Sequence, residues 1–170
     1  MAVDDSGIYV VGTDSSPGPG SGNFQWRIEK RGLTDGSIIW TQTSNPSPIS
    51  DSALGVAVDA SGLYVVGSDN SPGLADYQWR IEKRSLNDGT LISSFAAGGV
   101  IQEDISGGDD SAYGAAVDGT GVYVVGYDNA PGMLEWRFEK RDPGRPPTKL
   151  VITASPSSVT AGSWTTKYTA

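Results

Sequence analysis

Cysteine and histidine are absent from all 170 residues of this chain. Without cysteine there are no disulfides and no thiolate metal sites. Without histidine the most frequent general base and the most frequent zinc ligand are gone, and neither a Ser-His-Asp nor a Cys-His arrangement can be assembled. Positive charge is scarce as well: 12 Lys and Arg stand against 20 Asp and Glu, a net charge of −8. Phosphate binding needs clustered cations, so nucleic acid is not an expected partner. No apolar run reaches the roughly 18 residues of a membrane span, and no stretch sustains apolar residues at helical spacing. The opening "MAVDDSGIYVVG" has neither a basic start nor an apolar central region, so it does not read as a secretory signal.

Glycine and proline are plentiful, at 23 and 10 residues. Such punctuation suits many short strands joined by turns. The chain also repeats itself. "AVDDSGIYVVG" at 2–12 returns as "AVDASGLYVVG" at 57–67 and as "AVDGTGVYVVG" at 116–126. A turn ending in Pro-Gly follows each copy: Asp-Ser-Ser-Pro-Gly at 14–18, Asp-Asn-Ser-Pro-Gly at 69–73 and Asp-Asn-Ala-Pro-Gly at 128–132. Next come "FQWRIEKR" at 24–31, "YQWRIEKR" at 77–84 and "LEWRFEKR" at 134–141. A second turn carries Asp35-Gly36 and Asp88-Gly89, and a fourth segment reads "SIIWTQT" at 37–43 or "TLISSFAA" at 90–97. The units thus span 1–55, 56–114 and 115–140.

Each segment reads as a strand. In "YQWRIEKR", Tyr77, Trp79, Ile81 and Lys83 fall on one face and Gln78, Arg80, Glu82 and Arg84 on the other, which is period-two alternation with one buried side. The Arg-Glu-Arg side is expected to be a solvated ladder of charge pairs, each worth well under ~1 kcal/mol. "YVVG" is apolar on both faces and suits an interior strand. A four-stranded unit of this size cannot bury its faces alone, whereas stacked copies cover one another. The expected fold is all-β: a propeller-like array of three four-stranded repeats, either an incomplete ring or one completed by self-assembly. A β-trefoil or another threefold β-fold is the alternative.

"VDASGLYVVGSD" at 58–69 resembles the "VD-x-x-G-x-x-Y-V-x-G" phrase of bacterial and archaeal surface-protein β-propeller repeats. "WRIEKRSLNDGTLISSFAAGGVIQEDISGGDDSAYGAAVD" at 79–118 is similar to the longer surface-protein repeats that read "L-x-R-Y-x-x-D-G-x-x-D-x-x-F-G-x-G-G". The first unit departs from that pattern with "TSNPSPISDSA", and the third has "DPGRPP" where an Asp-Gly turn should sit. The resemblance implies an exported or cell-surface location and little chemistry. At 141–148, "RDPGRPPT" reads as a stiff linker. The segment 149–170 resembles the opening of an immunoglobulin-like bacterial surface domain, of which only a fraction of the roughly 100 residues is present. Alternatively, "KLVITAS" at 149–155 returns to supply the missing strand of the third unit.

Candidate binding residues are few. Trp26, Trp79 and Trp136 recur once per unit. They are either platforms for stacking a sugar or spacers between sheets; the apolar residues on the same face favour spacers. Trp40 and Trp164 do not recur and are the better candidates for exposure. Carboxylates crowd the turns, where Asp commonly accepts local backbone hydrogen bonds. The loop "QEDISGGDD" at 102–110 brings Glu103, Asp104, Asp109 and Asp110 close in sequence; it is the best candidate for calcium, which takes 6–8 oxygens, and no other cofactor is expected. Nothing in the spacing selects a catalytic carboxylate pair. The expected role is non-enzymatic: a structural, adhesion or interaction module, partnered by its own copies or by further repeats of the same polypeptide. A carbohydrate-binding module and a glycosidase-like propeller enzyme are the alternatives.

Overall fold

A computed structural model of the chain describes residues 1–15, 22–71, 76–129, 133–142 and the backbone of 150–154. These residues form three antiparallel four-stranded sheets, each a simple meander. The first contains β1 (Ala2–Asp4), β2 (Gly7–Asp14), β3 (Gln25–Arg31) and β4 (Ile38–Ser44). The second contains β5 (Ser52–Asp59), β6 (Gly62–Asp69), β7 (Gln78–Arg84) and β8 (Val100–Glu103). The third contains β9 (Ser111–Asp118), β10 (Gly121–Asp128), β11 (Glu135–Arg141) and β12 (Leu150–Ala154). Among the described residues no helix is long and apolar enough to cross a membrane.

The tripled sequence produces tripled local structure. Where the first two strands meet, the carboxylate of Asp4, Asp59 or Asp118 accepts backbone N–H bonds from the residues two and three positions on. This is the Asx-turn expected of Asp in these places. The hydroxyl of Ser6, Ser61 or Thr120 joins it and reaches the phenol of Tyr9, Tyr64 or Tyr123. Above each phenol ring sits an ammonium: Lys30 at 5.4 Å, Lys83 at 5.0 Å and Lys140 at 5.4 Å. The hairpin is thus pinned by groups that the repeat supplies in every copy.

Sheets two and three begin at Ser52 and Ser111, a few residues before the repeat boundaries expected at 56 and 115. A register shift explains the difference. Ala53 pairs with Gly67 and Gly55 with Val66, so Leu54 is an extra, bulged residue; Tyr113 occupies the same place in the third sheet. Pairing continues across the bulge, as bulges in antiparallel ladders allow.

The fourth strands depart from expectation. "TLISSFAA" at 90–97 is not a continuous strand: Leu91 forms one bridge to Arg84, and the chain then leaves the sheet. It returns at Val100 after Gly98 and Gly99, whose φ values of 68° and 85° permit the turn. Phe95 drives the excursion, since its ring is buried edge-on against Tyr64 at 5.8 Å. In the third sheet β12 pairs antiparallel with β11 from Lys140↔Leu150 to Trp136↔Ala154. Residues 143–148 of the expected linker, and 149 and 155–170 of the segment after it, lie outside the described residues.

The sheets stack face to face. The Trp-bearing face of the first sheet packs on the second, burying Tyr9, Trp26 and Ile28 against Leu63, Val65 and Val56. The Trp-bearing face of the second packs on the third, burying Tyr64, Trp79 and Ile81 against Val122 and Val124. β5 lies between β2 and β9. Among the described residues no strand of the first sheet packs comparably on the third. Among the described residues nothing covers the outer face of the first or the third sheet.

Candidate functional site

Every sheet carries the same four-charge chain on the face opposite its tryptophan. In the first, Arg27 bridges Asp14 at 2.7 Å and Glu29 at 2.6 Å, and Arg31 meets Glu29 at 2.5 Å. In the second, Arg80 bridges Asp69 at 3.2 Å and Glu82 at 2.7 Å, and Arg84 meets Glu82 at 2.6 Å. In the third, Arg137 bridges Asp128 and Glu139, and Arg141 bridges Glu139 and Glu103. Alternating strand geometry causes this, because residues two apart share a face and paired strands bring Asp14, Asp69 or Asp128 alongside.

The expectation of a solvated ladder is corrected for two of the three sheets. Arg80, Glu82 and Arg84 are buried beneath the first sheet, and Arg137, Glu139 and Arg141 beneath the second. Only Arg27 and Arg31 keep about a third of their side chains exposed, at 35% and 36%. Burial pushes the Glu82 carboxyl up, but the charges of Arg84 and Arg80 and the Ser44 hydroxyl outweigh it and hold it below the usual range. Glu29 is also held low, burial being outweighed by Arg27 and Arg31. Burial draws the Arg137 and Arg141 guanidiniums down, while their carboxylate partners raise both above the ordinary value.

Neighbouring sheets touch these chains through their fourth strands. Ser44, opposite Trp26 in the first sheet, donates to Glu82 at 2.6 Å. Glu103, opposite Trp79 in the second, binds Arg141 at 2.5 Å. The tryptophans complete the contact. Trp26 donates its indole N–H to the Ser68 carbonyl at 3.1 Å and lies under the Arg80 guanidinium at 5.7 Å. Trp79 donates to the Tyr127 carbonyl at 2.9 Å and lies under Arg137 at 6.0 Å. Each indole lies over a glycine: a Cβ on Gly67 or Gly126 would run into the Ser52 or Ser111 carbonyl of the paired strand and meet the indole Cζ2 at 2.9 Å.

The sequence candidates therefore separate. Trp26 and Trp79 are sealed between sheets and offer no face to a sugar, because the next sheet covers them. Trp40 is half-buried: its indole N–H reaches the Leu86 carbonyl at 3.3 Å, and its ring tilts against Tyr9 at 6.3 Å. Trp136 alone of the repeated three is open, 52% exposed. Trp164 lies outside the described residues.

The acidic loop disperses rather than converges. Glu103 is committed to Arg141. Asp109 accepts the Tyr77 amide at 3.1 Å. Asp110 is fully buried and accepts from the Ile105 and Ser106 amides, the Ser106 hydroxyl and the Asn129 amide. Asp104 is exposed beside an open cleft of about 570 Å³, and burial together with Asp76 and Asp110 raises its carboxyl above the usual range. Among the described residues no three such side chains are grouped to hold a metal ion. Asp110 fastens the unit junction instead, and Asp51 repeats the arrangement with Ser47 and Asn70.

Sequence reading missed the buried charge chain and the glycine seats. The phrase itself carries no signal for burial: "RIEKR" is identical at 27–31, where its arginines stay about a third exposed, and at 80–84, where they are buried. Comparison with known proteins finds no family model, no curated protein and no solved structure that matches this chain.

Proposed function

We propose that this chain is a non-enzymatic, propeller-like β-repeat module that serves structure, adhesion or interaction in an exported or cell-surface protein. Whole meander sheets stacked face to face, with their charge chains turned inward, support the propeller-like reading over a threefold-closed fold, which needs the third sheet to return onto the first. The observation that carries the functional reading is the fate of the polar groups. In each internal interface Arg, Glu and Trp side chains bind the neighbouring sheet, and among the described residues the repeated Trp and Arg side chains left open, Trp136, Arg27 and Arg31, lie at the two ends of the stack. Such ends are surfaces for joining rather than for turnover. The surface-protein resemblance supports the location.

Two experiments test this. A panel of chromogenic glycosides is expected to show no turnover above the uncatalysed rate; hydrolysis abolished by changing a single carboxylate would restore the enzyme reading. Immunodetection on intact cells is expected to find the chain accessible from outside; a strictly cytosolic signal contradicts the location. The open Trp136 favours a second reading, a carbohydrate platform. Glycan-array binding lost on Trp136→Ala supports that one instead.

A further inference from the structure

The two ends of the stack carry the two halves of a contact that the molecule already makes twice. Each internal interface needs an indole on one side. On the other it needs a glycine, a carbonyl one residue later and an arginine above the ring. The third sheet ends with the indole: Trp136 stands on its open face with Phe138 and Lys140, as Trp79 stands with Ile81 and Lys83. The first sheet ends with the seat. Gly12 pairs with Arg27 as Gly67 pairs with Arg80 and Gly126 with Arg137. Thr13 stands where Ser68 and Tyr127 supply their carbonyls.

The seat differs from its buried equivalents in two respects. A Cβ on Gly67 or Gly126 would run into the Ser52 or Ser111 carbonyl of the adjacent strand and meet an indole at 2.9 Å, whereas a Cβ on Gly12, which lies past the last residue pair of the short β1, would meet nothing within 4 Å. A cleft of about 150 Å³ lies there, lined by Val10, Val11, Gly12, Thr13, Arg27 and Glu29. The charge chain beside it is internally neutralised, as are the two buried ones, so covering it leaves no lone ion in the interface.

We propose that Trp136 of one copy of this chain seats on Gly12 of a second copy, under Arg27 and with its indole N–H on the Thr13 carbonyl. The inference rests on the propeller-like reading and names the partner of its open ends. Residue 136 meets residue 12 and residue 12 meets residue 136, the reciprocity a two-fold axis requires. Two chains then close a ring of six sheets, within the roughly four to eight blades at which propellers close.

Light scattering across a dilution series tests the docking. The chain is expected at twice its 17.7 kDa mass at high concentration. Trp136→Ala and Gly12→Leu are each expected to hold it at single mass, with unchanged circular dichroism because both positions are open. An equimolar mixture of the two variants retains one intact Trp136–Gly12 contact and is expected to recover dimers at higher concentration. A wild-type chain that stays at single mass at about 200 µM, far above the micromolar range of a specific dimer, overturns the proposal. So does a dimer that both variants preserve, or a glycan that occupies Trp136 in place of a second copy. Larger assemblies abolished by both variants overturn the two-chain ring. None of these failures touches the propeller-like reading, which fails separately if acrylamide quenches Trp26 and Trp79 as readily as Trp136.

Discussion

Replacing Glu82 with alanine is expected to be far more damaging than the same change at Glu29, although the two occupy one position of the repeat. Glu82 is fully buried and holds two guanidiniums, Arg80 at 2.7 Å and Arg84 at 2.6 Å, whose side chains are only 8% and 4% exposed. Its removal strands Arg84 beneath the first sheet, leaves Arg80 with Asp69 as its one carboxylate, and leaves the Ser44 hydroxyl without its acceptor. Breaking a buried pair in this way costs about 3–5 kcal/mol, most of it the penalty of uncompensated charge. Glu29 is buried too, but its deletion leaves Arg27 paired with Asp14, and both Arg27 and Arg31 already meet water over about a third of their side-chain surface. Exposed pairs contribute about 0–1 kcal/mol. For a domain of this size 1 kcal/mol corresponds to roughly 2–4 °C of melting temperature. Glu82→Ala is therefore expected to lower Tm by about 6–20 °C, and Glu29→Ala by about 4 °C at most. Urea unfolding followed by tryptophan emission, at a concentration where the chain is monomeric, gives both differences. Equal losses at the two positions, or a loss below about 1 kcal/mol at Glu82, refute the idea that the neighbouring sheet turns a surface ladder into a buried one.

The same residue sets a pH dependence. Because the folded Glu82 carboxyl lies below its ordinary value, its contribution is complete above the unfolded carboxyl value of about 4.3 and is lost as pH falls through the folded one. Glu82→Gln is expected to flatten the acid limb of stability against pH. Asp51 works in the opposite sense: burial raises its carboxyl, so its contribution declines as pH rises from about 3.9 through the folded value, and Asp51→Asn removes that component. Calcium is tested by thermal melts with chelator and with millimolar Ca²⁺. The dispersed acidic loop predicts no shift, and a rise in Tm lost on Asp104→Asn would place an ion there.

Strand identity was legible in the sequence wherever a phrase recurred with period-two alternation, and "WRIEKR" told correctly which residues share a face. What covers each face was not legible, because alternation is local and coverage depends on rank in the stack. Trp26, Trp79 and Trp136 sit in nearly identical phrases and end at 0%, 1% and 52% exposure. The fourth strands were hardest. "TLISSFAA" has strand-like composition, yet burying Phe95 against Tyr64 wins over continuing the ladder past Leu91. The strand at 150–154 was readable in "KLVITAS", but its pairing with β11 stood there as one of two alternatives, because the partner lies across a proline-rich segment and no local pattern chooses between them. At the candidate sites, the Asp residues near the first turn behave as the Asx-turn reading expects: hydrogen bonds from the Thr120 hydroxyl and amide hold Asp118 below the usual carboxylate range.

Three substitutions at one repeat position measure the stacking directly. With Trp→Ala introduced singly at 26, 79 and 136 in the monomeric chain, the first two are expected to cost about 3–5 kcal/mol each, the loss for a fully buried aromatic. The third is expected to cost under about 1 kcal/mol, as surface changes do. Three equal losses, or a neutral change at Trp26 or Trp79, would contradict the claim that each sheet is sealed by the next.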